Sequence, residues 1–287
     1  MKYSRPKTFS ALSATALTCA SLLATTIIAP LAAFARETIV TKSHVDGSPA
    51  NAFFIAPTKP TEHGKSTLVV YSHGMLSSIE EPFVVPPGAP TGPVLTSIYP
   101  NYGFLSVGVP ESWADPRVLQ DFTDAITTVQ NKHHFERIIY MGASMGGCNL
   151  LRYIELAPPE IKEKSECILT LVSCGDLAAL YKTSLDEDVK RSIAKALHGT
   201  PVENKDEYKA RSFIANIKEF PADIKVVILS NNEDSTVPPK LQTQLYRALI
   251  ANKNQVKLFQ RKGNHTTWPP PVMMQYYIDH IIHKRLM

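Results

Sequence analysis

Three side chains in this sequence have the types and the spacing that acyl transfer needs: Ser144, Asp234 and His265. A serine hydroxyl is a weak nucleophile near neutral pH, so it requires a base within hydrogen-bond reach and a carboxylate that orients that base. Ser144 lies in Gly142-Ala143-Ser144-Met145-Gly146, directly after the apolar run Arg137 to Met141. A G-x-S-x-G pentapeptide that follows a strand is the nucleophile-elbow pattern, in which a strained turn lifts the serine hydroxyl out of the sheet. Gly142, Gly146 and Gly147 supply the absent side chains that such a turn demands. Alone, the pentapeptide is a weak sign, because glycine-rich turns follow strands in many α/β proteins. Asp234 and His265 strengthen it, since each follows a different β-type run, Lys225 to Leu229 and Val256 to Gln260.

Acyl transfer also needs donors aimed at the tetrahedral oxyanion. The backbone amide of Met145, next to the serine, is the expected first donor, and the amide of Met75, in the turn Tyr71-Ser72-His73-Gly74-Met75, the expected second. His73 is read as a brace of that turn rather than a proton carrier. Glu233 adjoins Asp234 as an alternative acid, but Asp234 keeps the Asp-x-x-Val-Pro spacing. Asp176 stands beyond another strand and is not needed as the acid. His133 and His134 are expected to be solvated, with no second ligand set of metal type beside them. Trp268 and Tyr102 are candidates for an acyl pocket or for packing. No metal and no cofactor is expected.

The elements that must position these groups alternate between β-rich and helical patterns, the sign of a parallel sheet covered on both faces. Strands are expected at Glu37 to Thr41, Ala52 to Ala56, Thr67 to Ser72, Phe104 to Val109, Arg137 to Met141, Cys167 to Val172, Lys225 to Leu229 and Val256 to Gln260. Asp115-Pro116 opens a helix with Val118, Leu119, Phe122, Ala125, Ile126 and Val129 at helical spacing. A second helix runs from Cys148 to Leu156 and stops at Pro158-Pro159, and a last one spans Val272 to Leu286. Ser77 to Pro100 reads as a long loop, and Asp176 to Ile217 as a helical insertion over the sheet edge, broken at Gly199-Thr200-Pro201. Serine, acid and histidine then follow in the α/β-hydrolase order, each past the C-terminal end of a different strand. The fold class is α/β: an eight-stranded, mostly parallel sheet with helices on both faces and a small helical insertion after the sixth strand.

Arg137-Ile-Ile-Tyr-Met-Gly-Ala-Ser-Met-Gly-Gly147, Asp234-Ser-Thr-Val-Pro238 and Gly263-Asn-His265 resemble the three catalytic blocks of the prolyl-oligopeptidase-like α/β-hydrolases. Tyr208 to Ile214, followed by Ile217 and Pro221, resembles the stretch that precedes the acid-bearing strand in that group. The similarity runs from about Leu68 to the C-terminus. It implies Ser144 as nucleophile, His265 as general base and Asp234 as orienting carboxylate. Once the leader is removed only residues 36 to 67 precede Leu68, so a propeller domain of the kind carried by large peptidase members is not expected. That tilts the expectation toward a small carboxylesterase, with a peptidase or an acyltransferase as alternatives and a non-catalytic binding protein behind them.

Lys2, Arg5 and Lys7, an uncharged stretch from Thr8 to Ala35 and Ala33-Phe34-Ala35 before Arg36 read as a signal peptide over residues 1 to 35, with a retained membrane anchor as the alternative. The hydrolase domain then spans residues 36 to 287, with 176 to 217 as the insertion. Of the 30 Lys plus Arg, three lie in the leader, as do none of the 26 Asp plus Glu. The near-neutral remainder argues against nucleic acid as a partner. A small-molecule ester or short peptide is the expected substrate, in the periplasm or outside the cell, with no stable membrane span after cleavage. Cys167 and Cys174 sit ~20 Å apart along a strand, too far to bond, whereas Cys148 and Cys174 share one sheet edge. A Cys148 to Cys174 disulfide and three buried free thiols are both left open.

Overall fold

The computed structural model describes residues 36–60, 64–83, 91–270, 273, 276–278 and 280. The expected leader lies outside them, as does most of the expected C-terminal helix, of which 273, 276–278 and 280 are helical.

Strands β1 (Arg36–Lys42), β2 (Pro49–Ile55) and β3 (Thr67–Ser72) come first, then helix α1 (Thr91–Ile98), β4 (Tyr102–Val107) and α2 (Pro116–His133). The central unit follows: β5 (Arg137–Ala143), α3 (Met145–Leu156), the short α4 (Pro159–Lys162) and β6 (Ser165–Leu171). Helices α5 (Leu177–Thr183), α6 (Glu187–Ala196), α7 (Lys205–Arg211) and α8 (Phe213–Asn216) precede β7 (Lys225–Asn231), α9 (Pro239–Ala251) and β8 (Val256–Arg261). The strands form one eight-stranded sheet in the order β1-β2-β4-β3-β5-β6-β7-β8. Only β2 runs against its neighbours; β4, β3 and β5 to β8 are parallel. Antiparallel entry strands on an otherwise parallel sheet, with β3 inserted between β4 and β5, give the α/β-hydrolase fold.

Every residue of β3 and of β4 is buried, because both faces of the sheet are covered. Leu68 and Val70 share a core with Leu119, Phe122 and Ile126 of α2 and Leu150 and Ile154 of α3. Their neighbours Val69 and Tyr71 project to the other face by strand alternation. There Tyr71 meets the Phe104 ring, which lies against Gly92 of α1. Helix α1 corrects the reading of Ser77 to Pro100 as a loop throughout. Its buried residues are few, Gly92, Pro93, Leu95 and Thr96, and of these only Pro93 and Leu95 are apolar, so helical periodicity had too few residues to register. The fourth strand starts two residues before its expected position and ends two before, since Tyr102 and Gly103 pair with Thr67 and Leu68. Asp115 caps α2 as expected, its carboxylate accepting from the Arg117 amide. His133 departs from the solvated reading: its ring packs 4.8 Å from that of Phe54, and burial lowers its basicity.

The elbow locks to the sheet through Gly146. A Cβ there would stand 2.0 Å from the Ser72 carbonyl oxygen and 2.6 Å from that of His73. Those atoms belong to the end of β3 and cannot step aside without breaking the sheet. Gly146→Ala is expected to cost at least about 3 kcal/mol, the upper range for overpacking, and a lowered urea midpoint of the purified protein measures it.

Candidate active site

Ser144 occupies the one-residue turn between β5 and α3 with φ 52 and ψ −123. A non-glycine residue in that region stores about 1–3 kcal/mol of strain. The turn survives because its flanks are held. The Ser144 amide donates to the Leu171 carbonyl on β6 at 2.9 Å. Gly142 and Gly147 meet within the turn, where a Cβ on Gly142 would lie 2.7 Å from the Gly147 nitrogen. Ser144 is left 8% exposed, enough for its hydroxyl to reach a partner across the sheet edge.

That partner is His265, whose Nε2 stands 3.0 Å from Ser144 Oγ. Its Nδ1 stands 2.8 Å from Asp234 Oδ2. The Asp234 side chain is fully buried, and its other oxygen accepts from the Thr236 amide at 2.9 Å and the Val237 amide at 2.8 Å. This explains the Asp-x-x-Val spacing: the carboxylate closes its own loop, which leaves Oδ2 for the imidazole. Residues 121 and 31 positions apart in the chain thus form one hydrogen-bonded line. Glu233 is exposed and takes no part in it. Asp176 caps α5 by accepting from the Ala179 amide.

His265 is carried on a tight loop. Gly263 adopts φ 136, a conformation that excludes a side chain. Asn264 Oδ1 accepts from the Thr266 amide at 3.1 Å and from Thr267 Oγ1 at 3.0 Å. Asn231, at the end of β7, then ties this loop to the acid loop: its Nδ2 donates to the Asn264 carbonyl at 2.7 Å and the Thr267 carbonyl at 2.9 Å. Sequence reasoning passed over Asn231, which reads as an ordinary loop polar residue until its burial is seen.

A cavity of about 240 Å3 opens beside Ser144 and His265. Met75, Leu76, Val172, Val189 and Trp268 give it apolar walls, while Glu81 and Asp186 add carboxylates. Trp268 therefore takes the pocket-lining place among the two the sequence left open. Tyr102 does not: it begins β4 at the opposite end of the sheet, stacked on Tyr99 and facing Arg137. Val172, β-branched, holds φ 47 at the cavity wall, a second strained residue beside the serine. Asp186 caps α6 through the Asp188 and Val189 amides, so the helices between β6 and β7 contribute directly to the cavity.

Met75 lines the cavity with Ser144, and Met145 heads α3, where first-turn amides have no intrahelical acceptor. His73 is 3% exposed. Its Nε2 accepts from the Val109 amide at 3.3 Å, which makes Nδ1 the protonated nitrogen, donating to the Gly74 carbonyl at 2.8 Å. Both ring nitrogens are committed to backbone, as a brace requires. Glu81 Oε2 accepts from the Gly74 amide at 3.2 Å, and Tyr71 donates its hydroxyl to Glu81 Oε1. Burial, and then the Glu81 charge, push the Tyr71 phenol well above its usual range, so it remains a donor.

Cys148 and Cys174 come close, as one of the two sequence readings required, but their sulfurs are 3.7 Å apart and unbonded. Cys148, Cys167 and Cys174 are buried free thiols. No group of three His, Cys, Asp or Glu side chains among the described residues is placed to hold a metal ion. No helix among them is long and apolar enough to cross a membrane.

A family model described as the prolyl oligopeptidase family matches residues 113–277, which takes in the elbow, the Asp234 loop and the His265 loop. No curated protein matches the sequence. Among solved structures, the chain is similar to the uncomplexed acylaminoacyl peptidase of Pyrococcus horikoshii, with 17% identity and a TM-score of 0.67 over 88% of this chain and 42% of that one. It is similar to a puromycin-hydrolyzing peptidase of Mycobacterium tuberculosis, with 16% identity and a TM-score of 0.64 over 88% of this chain and 40% of that one. It is also similar to dipeptidyl peptidase 4 of Porphyromonas gingivalis, with 15% identity and a TM-score of 0.61 over 86% of this chain and 34% of that one. Identities this low speak for the shared fold, and the chain spans less than half the length of each of these proteins.

Asn231→Ala leaves two carbonyls of the His265 loop without their donor. The expected outcome is a loss of about 1–3 kcal/mol in stability, read from the urea midpoint, together with a fall in kcat that exceeds any change in KM.

Proposed function

Since the chain belongs to the prolyl oligopeptidase family, we propose that it is a serine peptidase that cleaves short peptides through an acyl-enzyme on Ser144. The observation that carries this reading is the line Ser144 Oγ to His265 Nε2 to Asp234 Oδ2, at 3.0 and 2.8 Å. His265 takes the hydroxyl proton as Ser144 Oγ attacks the scissile carbonyl, and Asp234 holds the imidazole in the tautomer that leaves Nε2 free to accept. The amides of Met145 and Met75 receive the oxyanion. Collapse of the tetrahedral species expels the amine, which collects its proton from His265. Water then repeats the sequence and frees Ser144.

A carboxylic ester is the substrate the sequence alone favoured, and the family match shifts the proposal to a peptide amide. The modest volume of the cavity suits one side chain of a short peptide. Serine peptidases share their acyl-enzyme chemistry with esterases, so turnover of an activated ester is expected alongside peptide cleavage. Ser144→Ala should lower hydrolysis of both peptidyl p-nitroanilides and p-nitrophenyl esters by on the order of a thousandfold or more. Asp234→Asn should cost about ten-thousandfold in kcat through the wrong tautomer of His265. Ester turnover with no cleavage across a peptide library would return the assignment to an esterase.

The proposal includes export. It rests on the charge and hydropathy pattern of residues 1 to 35 and the Ala33-Phe34-Ala35 exit. Expression of the full chain in a Gram-negative host should yield periplasmic protein whose N-terminus is Arg36, and protein sequencing of the purified product checks both points.

A further inference from the structure

Glu81 has no place in the proton path, yet its carboxylate lines the cavity at the serine. A negative charge near a developing oxyanion opposes the reaction unless it performs a compensating task. Its contacts identify that task. Glu81 Oε2 accepts from the Gly74 amide at 3.2 Å, and Oε1 accepts from the Tyr71 hydroxyl. On the other side of Gly74, His73 Nδ1 donates to the Gly74 carbonyl at 2.8 Å. The Gly74 carbonyl and the Met75 amide belong to one planar peptide group and point in opposite directions. Fixing the carbonyl therefore aims the Met75 N–H, and fixing the Gly74 N–H sets the plane before it. With both neighbouring planes held, the Met75 amide cannot swing about Gly74, a residue whose own backbone resists rotation least.

The clamp is itself anchored. Ser106 Oγ on β4 donates to the Ile79 carbonyl at 2.9 Å, and the Glu81 amide donates to the Ser78 carbonyl at 3.0 Å, which fixes the turn that carries the carboxylate. Tyr71 presents its hydroxyl from β3, the strand that leads into the turn. We propose that Glu81, held by Tyr71, is a positioning residue that fixes the oxyanion turn at Gly74 and so aims the Met75 amide at the tetrahedral intermediate. This rests on the serine hydrolase reading above.

The test compares wild type, Ser144→Ala, Glu81→Ala, Glu81→Gln and Tyr71→Phe on p-nitrophenyl acetate, an acyl group too small to engage the cavity walls. Glutamine preserves both contacts, since its oxygen accepts from Gly74 and its amide donates to the Tyr71 oxygen. Glu81→Ala is expected to lower kcat at least about tenfold with KM changed less than about twofold, and to slow fluorophosphonate labelling of Ser144 in parallel. Glu81→Gln should restore kcat to within about threefold of wild type, and Tyr71→Phe should fall between the two. An unaltered kcat in Glu81→Ala, or equal loss in the alanine and glutamine variants, overturns the proposal. If Glu81→Ala does not fold by circular dichroism, Tyr71→Phe decides, and an unaltered kcat there overturns it as well. Activity that survives Ser144→Ala instead overturns the hydrolase reading on which the proposal stands.

Discussion

The contact on which this structure depends is the one between Gly146 and the carbonyls of Ser72 and His73 at the end of β3. It presses the first turn of α3 against the neighbouring strand with no room for a side chain. Two consequences follow at once. The strained conformation of Ser144 is held from both sides, by α3 packed on β3 and by the hydrogen bond its amide donates to the Leu171 carbonyl on β6. The turn that carries Met75 also leaves β3 at this same point, so the proposed nucleophile and the proposed oxyanion donor are referred to one rigid junction. Preorganisation of this kind is what electrostatic stabilisation of a transition state requires, because donors already in place need not reorganise during the reaction.

The remaining groups reach that junction from loops, and each loop is closed by its own polar residues. Asp234 accepts from the amides of its own turn before it meets His265. Asn264 closes the histidine loop, and Asn231 joins the two. The result is a site on loops with little freedom left in them. Polar side chains, Asp234 and Asn231 buried and Asn264 exposed, bear this load, which a purely apolar core cannot bear, since only a hydrogen bond specifies direction as well as proximity. The oxyanion turn is built in the same way, with His73 on one face and Glu81 on the other.

Much of this was legible from residue types. The central strands appear near their expected positions because Val, Ile and Leu runs buried on both faces are long and unambiguous, as in Lys225–Asn231 and Arg137–Ala143. Asp115-Pro116 marked the start of α2 because a cap and an N1 proline act locally. Helix α1 was not legible, since only a few of its residues are buried and proline and glycine surround them. His133 was misjudged for a different reason: its polar neighbours suggested solvent, while Phe54, from a strand far away in the chain, covers its ring.

By itself the sequence determined which residues carry reactive groups and in what order the strands deliver them: Ser144, Asp234 and His265, each after a β-type run. These are local properties, encoded in the chemistry of a few adjacent side chains and in the strand periodicity before them. Only the tertiary structure decided the rest. It brought His265 Nε2 within 3.0 Å of Ser144 Oγ across 121 positions, moved Tyr102 to the far end of the sheet, and set Glu81, Tyr71 and Asn231 around the loops. The reason is physical: a hydrogen bond depends on distance and direction between two atoms, and for residues far apart in the chain both are set by how the strands are ordered in the sheet.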